Sequence, residues 1–205
     1  MNIPIKVKNV TSNMISNFWG TLERVNFDFT FKNGKSVNLT HEVYGKSDGV
    51  AILLYNAITK KVLLTRQFRM PVYVAKINNG FSIEVVGGAM DENETPEITA
   101  IRETEEEIGY KIFKLKKVTT AFLSPGILKE KVHLFIGEYS NEQKTKYGGG
   151  VIEENEEIEV LEISFSEALQ MVENEEIIDA RTIILLQYVK LNGFIDLEIY
   201  LLMDC

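Results

Sequence analysis

Gly88-Ala-Met-Asp-Glu-Asn-Glu94, followed after seven residues by Arg102-Glu-Thr-Glu-Glu-Glu-Ile-Gly109-Tyr110, decides how the rest of the chain is read. The first part is a glycine loop, and the second is a helix whose acidic residues recur three and four positions apart. Glu103, Glu106 and Glu107 fall on one helical face at that spacing. At roughly 100° per residue, Ile98, Ile101 and Ile108 are expected on the opposite, buried face. Pro96 suits the first turn of such a helix with Thr95 as its cap, and Gly109 suits a left-handed end. Clustered carboxylates repel unless something neutralises them, and hard oxygen ligands suit Mg²⁺ or Mn²⁺. A solvated acidic face would account for the charge run. It leaves the two glycines and the lone arginine, at fixed distances from that run, without a reason.

Working outward, Trp19 to Phe31 alternates apolar and polar, Lys32-Asn-Gly34 follows as a turn, and Val37 to Tyr44 continues as a second strand. Two or three strands bury little alone, so this antiparallel hairpin is expected to pack on the main domain or on a second subunit. Val50–Tyr55 and Lys61–Phe68 read as buried strands, and Phe81–Val86 as a third running straight into Gly87-Gly88. Val118–Leu123 and Lys131–Tyr139 alternate around the turn Ser124-Pro-Gly126. Glu157–Ile163 is a further strand, and Ser166–Glu173 and Ala180–Asn192 read as helices. Strands interleaved with helices give an α/β sandwich.

Composition narrows the partners. The chain has 205 residues and a formal net charge of −8, with no basic run, which argues against a nucleic-acid surface. An acidic protein still acts on a polyanion where divalent metal bridges the two. No stretch approaches the roughly 20 apolar residues of a membrane span, and no charged-then-apolar leader opens the chain. Its one cysteine, Cys205, leaves no internal disulfide framework and no zinc–thiolate cluster. A cytoplasmic protein is expected.

The glycine loop and acidic helix together resemble the box of the Nudix hydrolases. In that box Gly and Glu are separated by five residues, and seven more precede Arg-Glu; Glu-Glu, any residue and Gly close it. Gly88, Glu94, Arg102, Glu103, Glu106, Glu107, Gly109 and Tyr110 fall on the pattern, and Thr104 replaces an apolar residue. Beyond the box, Thr65-Arg-Gln-Phe-Arg69, Leu123-Ser-Pro-Gly126, Gly148-Gly-Gly150 and Glu154-Asn-Glu-Glu157 look like the nucleoside-diphosphosugar branch. Ser166-Glu-Ala-Leu169 and Glu176-Ile-Ile-Asp-Ala-Arg-Thr182 are most similar to bacterial GDP-mannose pyrophosphatases. The resemblance implies a Nudix α/β/α sandwich over residues 47–194. It also implies N-terminal β-strands over 1–46 that serve dimerisation and substrate contacts, and leaves 195–205 as a tail.

For chemistry, the resemblance implies Mg²⁺, with Mn²⁺ as the alternative, held by the Gly87 carbonyl, Glu103, Glu107 and Glu156. Arg102 would orient the glutamates, and Glu94 would be structural. The general base is Glu154 by first choice, because it lies in a loop two residues from a ligand; Glu107 and Glu106 compete with it. Arg69, Glu130 and Arg181 match positions that contact the bound nucleotide sugar, with Gly87 and Gly88 forming the loop beside it. Trp19 stands where an aromatic stacks on the base. Thr40, His41 and Glu42 match a strand supplied by the partner of a homodimer, Thr40 and His41 standing where similar enzymes carry Lys and Arg. The implied reaction is metal-dependent hydrolysis of GDP-mannose to GMP and mannose 1-phosphate. A pyrophosphatase of ADP-ribose or of nucleoside diphosphosugars in general is one alternative. A non-catalytic nucleotide-sugar sensor is the other, and the glutamates argue against it.

Overall fold

Two successive strands that are apolar at nearly every position, Val50 to Leu54 and Val62 to Leu64, demand a sheet covered on both faces. The computed structural model, which describes residues 6–150 and 157–196, contains such a sheet. β4 (Gly49–Asn56), β5 (Lys61–Phe68), β6 (Phe81–Glu84), β7 (Lys116–Ala121), β8 (Val132–Glu138) and β9 (Ile158–Ser164) form it. The order is β6-β5-β4-β8-β7, with β9 also paired to β5; β4 and β8 are parallel and the other pairs antiparallel.

Alternation along β4 assigns the two faces. Ala51, Leu53 and Tyr55 pack with Phe165, Ala168 and Leu169 of α3 (Phe165–Glu173) and with Leu185, Leu186 and Val189 of α4 (Ala180–Leu191). Val50, Ile52 and Leu54 pack instead with Ala100 and Ile108 of α2 (Pro96–Ile108). The result is the α/β/α sandwich expected from the sequence. One short helix was not foreseen: α1 (Met70–Val74), five residues long with Pro71 near its start, too short to show a period.

α2 begins and ends as its sequence dictates. The Thr95 hydroxyl accepts from the Ile98 amide at 3.3 Å, and Gly109 closes the helix at φ 75°. The expectation for its buried face needs correction. Thr99, Ala100, Thr104, Glu107 and Ile108 are buried, whereas Ile98 is more than half exposed and Ile101 only partly covered. Small residues let this helix lie close to the sheet, so the buried stripe is centred on Ala100 and Thr104. The carboxylates of Glu103 and Glu107 therefore lie along the border of the core.

The N-terminal segment forms a separate three-stranded antiparallel sheet, β1 (Val7–Asn17), β2 (Thr21–Thr30) and β3 (Ser36–Gly45). The sequence showed β2 and β3 as a hairpin and missed β1. Lys8, Asn9, Thr11, Ser12 and Asn13 interrupt any apolar alternation there, and every residue of β1 is exposed. By contact density the chain divides into two units: residues up to Asp48 with Phe122–Lys131, and Gly49–Ala121 with the chain from Val132 onward. The 122–131 loop joins the first unit through Tyr44, whose amide donates to the Ile127 carbonyl at 2.8 Å and whose carbonyl accepts from the Lys129 amide at 2.9 Å. Among the described residues, no helix is long and apolar enough to cross a membrane.

Candidate active site

The site is built where β6 leaves the sheet. Past Glu84 the chain stays extended beside β4, and the Val86 and Gly88 carbonyls accept from the Ile52 and Val50 amides at 2.8 and 2.9 Å. Successive carbonyls of an extended chain point in opposite directions. The Gly87 carbonyl therefore faces away from β4, and among the described residues it accepts no hydrogen bond. At Gly88 a Cβ would overlap the Glu103 carboxylate, so only glycine lets that side chain rest against the loop backbone.

Arg102 organises the carboxylates around this loop. Its Nε and Nη2 donate to Glu94 Oε1 and Oε2 at 3.2 and 3.1 Å, a two-pronged contact. Its Nη1 donates to Glu103 Oε1 at 3.0 Å and to Glu106 Oε2 at 2.9 Å. Hydrogen bonding to Glu94 raises the guanidinium above its ordinary range against the pull of burial. The Arg102 bonds, with the Thr99 hydroxyl at 2.8 Å, hold Glu94 below the usual carboxylate range. Thr104 settles inside the helix by donating to the Ala100 carbonyl at 2.7 Å, which is how a polar residue occupies the buried stripe.

One guanidinium cannot neutralise the four carboxylates it meets, Asp91 at 3.7 Å and Glu94, Glu103 and Glu106 at hydrogen-bond distance, and Glu107, only 2% exposed, adds another on the same helix. Two largely buried carboxylates and an outward carbonyl are hard oxygen donors, a set that fits Mg²⁺ or Mn²⁺. Among the described residues, no three His, Cys, Asp or Glu side chains converge as a ligand set by themselves. Glu156, the third carboxylate expected from the sequence, and Glu154, the first-choice base, lie outside the described residues, as do residues 197–205 of the tail.

The remaining predicted residues fall into two groups. Arg69 and Arg181 converge on Glu84: Arg69 Nε and Nη2 reach its two oxygens at 3.1 and 2.8 Å, and Arg181 Nη2 reaches Oε2 at 2.6 Å. Glu84 was not among the residues expected at the site. The available signal was a carboxylate inside the apolar run Phe81-Ser-Ile-Glu-Val-Val86, since a charge buried in a strand requires partners.

The second group belongs to the N-terminal unit. Thr40, His41 and Glu42 are exposed on β3, opposite Asn26, Val25 and Arg24 of β2. The Thr40 hydroxyl donates to Asn26 Oδ1 at 2.6 Å, and the His41 ring meets Phe27 edge-on at 5.1 Å. Trp19 lies in the bend between β1 and β2, and not within a strand as expected, with Lys46 Nζ 4.9 Å over its ring. Gly20 turns the chain there, which ends the alternation that the sequence suggested. Glu130 Oε2 accepts from the Lys46 amide at 3.3 Å.

Comparison with known proteins decides the family. The NUDIX domain model matches residues 45–185, more than half of the chain. The chain belongs to the Nudix family. Just before the Nudix domain, residues 6–44 match the model of the GDP-mannose pyrophosphatase NudK N-terminal domain. The chain is 40% identical over 187 residues to the GDP-mannose pyrophosphatases of Shigella dysenteriae serotype 1 (strain Sd197) and Escherichia coli O157:H7, covering 91% of this chain and 96% of each relative. The glycine loop, Arg102 and the glutamates of α2 are thus the Nudix box of this protein, a hydrolase of its family.

Proposed function

We propose that this Nudix hydrolase cleaves the pyrophosphate bond of GDP-mannose, giving GMP and mannose 1-phosphate. The observation that carries the reading is the N-terminal match: the model matched over residues 6–44 is that of a GDP-mannose pyrophosphatase, and it abuts the Nudix domain. Relatives of that name, matched over 91% of the chain, support it.

The Gly87 carbonyl, Glu103, Glu107 and Glu156 would hold Mg²⁺, with Mn²⁺ as the alternative. Bound there, the ion would neutralise the pyrophosphate oxygens and make a water more acidic. Arg102 holds Glu103, which rests against the loop at Gly88, and Glu106 by two of its hydrogen bonds and anchors itself on Glu94 by the others. Arg69 and Arg181 receive phosphate oxygens of the bound sugar nucleotide and hold its diphosphate in place. Glu154 takes the proton from the attacking water, with Glu107 and Glu106 as the competing bases. The glycines Gly148, Gly149 and Gly150, all at positive φ, give the segment before Glu154 a backbone that ordinary side chains rarely adopt.

In this reading the protein is a cytoplasmic homodimer. Trp19, Thr40, His41, Glu42 and Glu130 of the N-terminal unit touch the nucleotide sugar, the β3 residues coming from the partner subunit. The apolar side chains that the N-terminal strands expose, Val10, Met14 and Ile15 among them, support dimerisation. A panel of nucleoside diphosphosugars assayed with Mg²⁺ tests the substrate. The highest kcat/KM should fall on GDP-mannose. A preference for ADP-ribose of about tenfold, roughly 1.4 kcal/mol, would contradict the substrate and leave the family untouched.

A further inference from the structure

Four charged side chains from β6, the end of β5 and the start of α4 meet in the second unit. At their centre is Glu84, 4% exposed, which accepts from two arginines at once. Arg69 meets it fork to fork, and Arg181 shares its Oε2. Asp179 holds Arg181 from the other side, Oδ1 accepting from Nε at 2.9 Å. The other Asp179 oxygen caps α4, accepting from the Thr182 amide at 3.0 Å and the Thr182 hydroxyl at 2.7 Å. That hydroxyl accepts in turn from the Val85 amide at 2.8 Å, which fastens the start of α4 to β6 one residue from Glu84.

Two guanidinium groups this close repel each other, and the carboxylate between them is what lets them converge. Burial works to raise Glu84, but the hydrogen bonds from Arg69 and the charges of Arg181 and Arg69 outweigh it and leave its pKa at about 2. The carboxylate is therefore charged at neutral pH. Each arginine is anchored through only part of its donor set. Among the described residues, Nη1 of Arg69 and Nη1 of Arg181 donate to nothing, and the two side chains remain 37% and 18% exposed. A staple between helix and sheet has no need of donors left open in this way, and apolar packing often matches a buried ion cluster in stability. A pair of arginines fixed before an anion arrives loses less freedom on binding it.

We propose that Glu84 is a positioning residue that holds Arg69 and Arg181 side by side as a preformed clamp for the diphosphate of the substrate. Asp179 fixes the second arm. The inference rests on the pyrophosphatase reading above, and its test separates the two. Wild type, Glu84→Gln and Asp179→Asn are compared for steady-state kinetics with GDP-mannose and for calorimetric binding of inorganic pyrophosphate at saturating Mg²⁺. Glu84→Gln should raise KM about tenfold with kcat changed by less than about threefold, and weaken pyrophosphate binding by a similar factor. Asp179→Asn should raise KM about threefold; Asn caps a helix as well as Asp does, so α4 stays formed. Loss of thermal stability in Glu84→Gln with KM and pyrophosphate affinity unchanged would overturn the inference. If Glu84→Gln fails to fold, unchanged KM and affinity in folded Asp179→Asn would overturn it equally. If the wild type leaves GDP-mannose intact, the substrate reading falls, and pyrophosphate binding still decides the role of Glu84.

Discussion

Glu103 and Glu107 are the residues on which the proposed chemistry turns. Replacing either by Gln removes a charge while keeping its shape, so the fold should persist while turnover falls about a hundredfold or more. Circular dichroism and kcat at saturating Mg²⁺ check both halves, and near-normal turnover would refute the ligand assignment. Glu84 makes a separate prediction about pH. Its pKa is about 2 in the folded chain against an ordinary 4.5, so its ionised form favours folding. By linkage, about 3 kcal/mol is present above pH 4.5 and is lost progressively as pH falls toward 2. Urea unfolding from pH 7 to pH 3 should show this decline, and Glu84→Gln should flatten it; equal slopes in both proteins would exclude Glu84 as the source. The shared face of Glu103, Glu106 and Glu107 was legible in the sequence because helical spacing alone creates it. The Arg69–Glu84–Arg181 cluster was not. Its members are 15 and 97 positions apart, and only the folded sheet brings them together.

Among the elements, those with a clear period were the ones the sequence disclosed. β4 and β5 read as apolar runs because helices cover both faces, and α2 was bounded by its cap, its proline and Gly109. β1, exposed throughout, had no face to impose alternation, and α1 had too few residues. The burial of α2 was misjudged because isoleucine is a poorer guide than fit: Ala100 and Thr104 take the contact with the sheet that Ile98 lacks. Gly109 provides the test at this scale. It stands at φ 75°, and a Cβ there would run into the Lys146 carbonyl. Gly109→Ala should therefore destabilise the chain by more than about 1 kcal/mol, seen as a melting temperature lowered by several degrees. An unchanged melting point would mean that the end of α2 does not bear on stability.

For the whole molecule, the sequence disclosed class and charge but not the grouping of Phe122–Lys131 with the N-terminal sheet. That grouping depends on backbone bonds to Tyr44 across about 80 residues of chain, which no local pattern records. The N-terminal sheet, with Phe18 99% exposed at its bend, predicts a homodimer by light scattering; a fully active monomer would contradict it. The central claim is metal-dependent hydrolysis of a sugar nucleotide, and ³¹P spectroscopy of GDP-mannose incubated with the protein tests it most directly. The account predicts that the diphosphate signals give way to those of GMP and mannose 1-phosphate with Mg²⁺ present, and persist when a chelator removes it. Diphosphate signals that persist with Mg²⁺, or that disappear equally fast in the chelator, would contradict it.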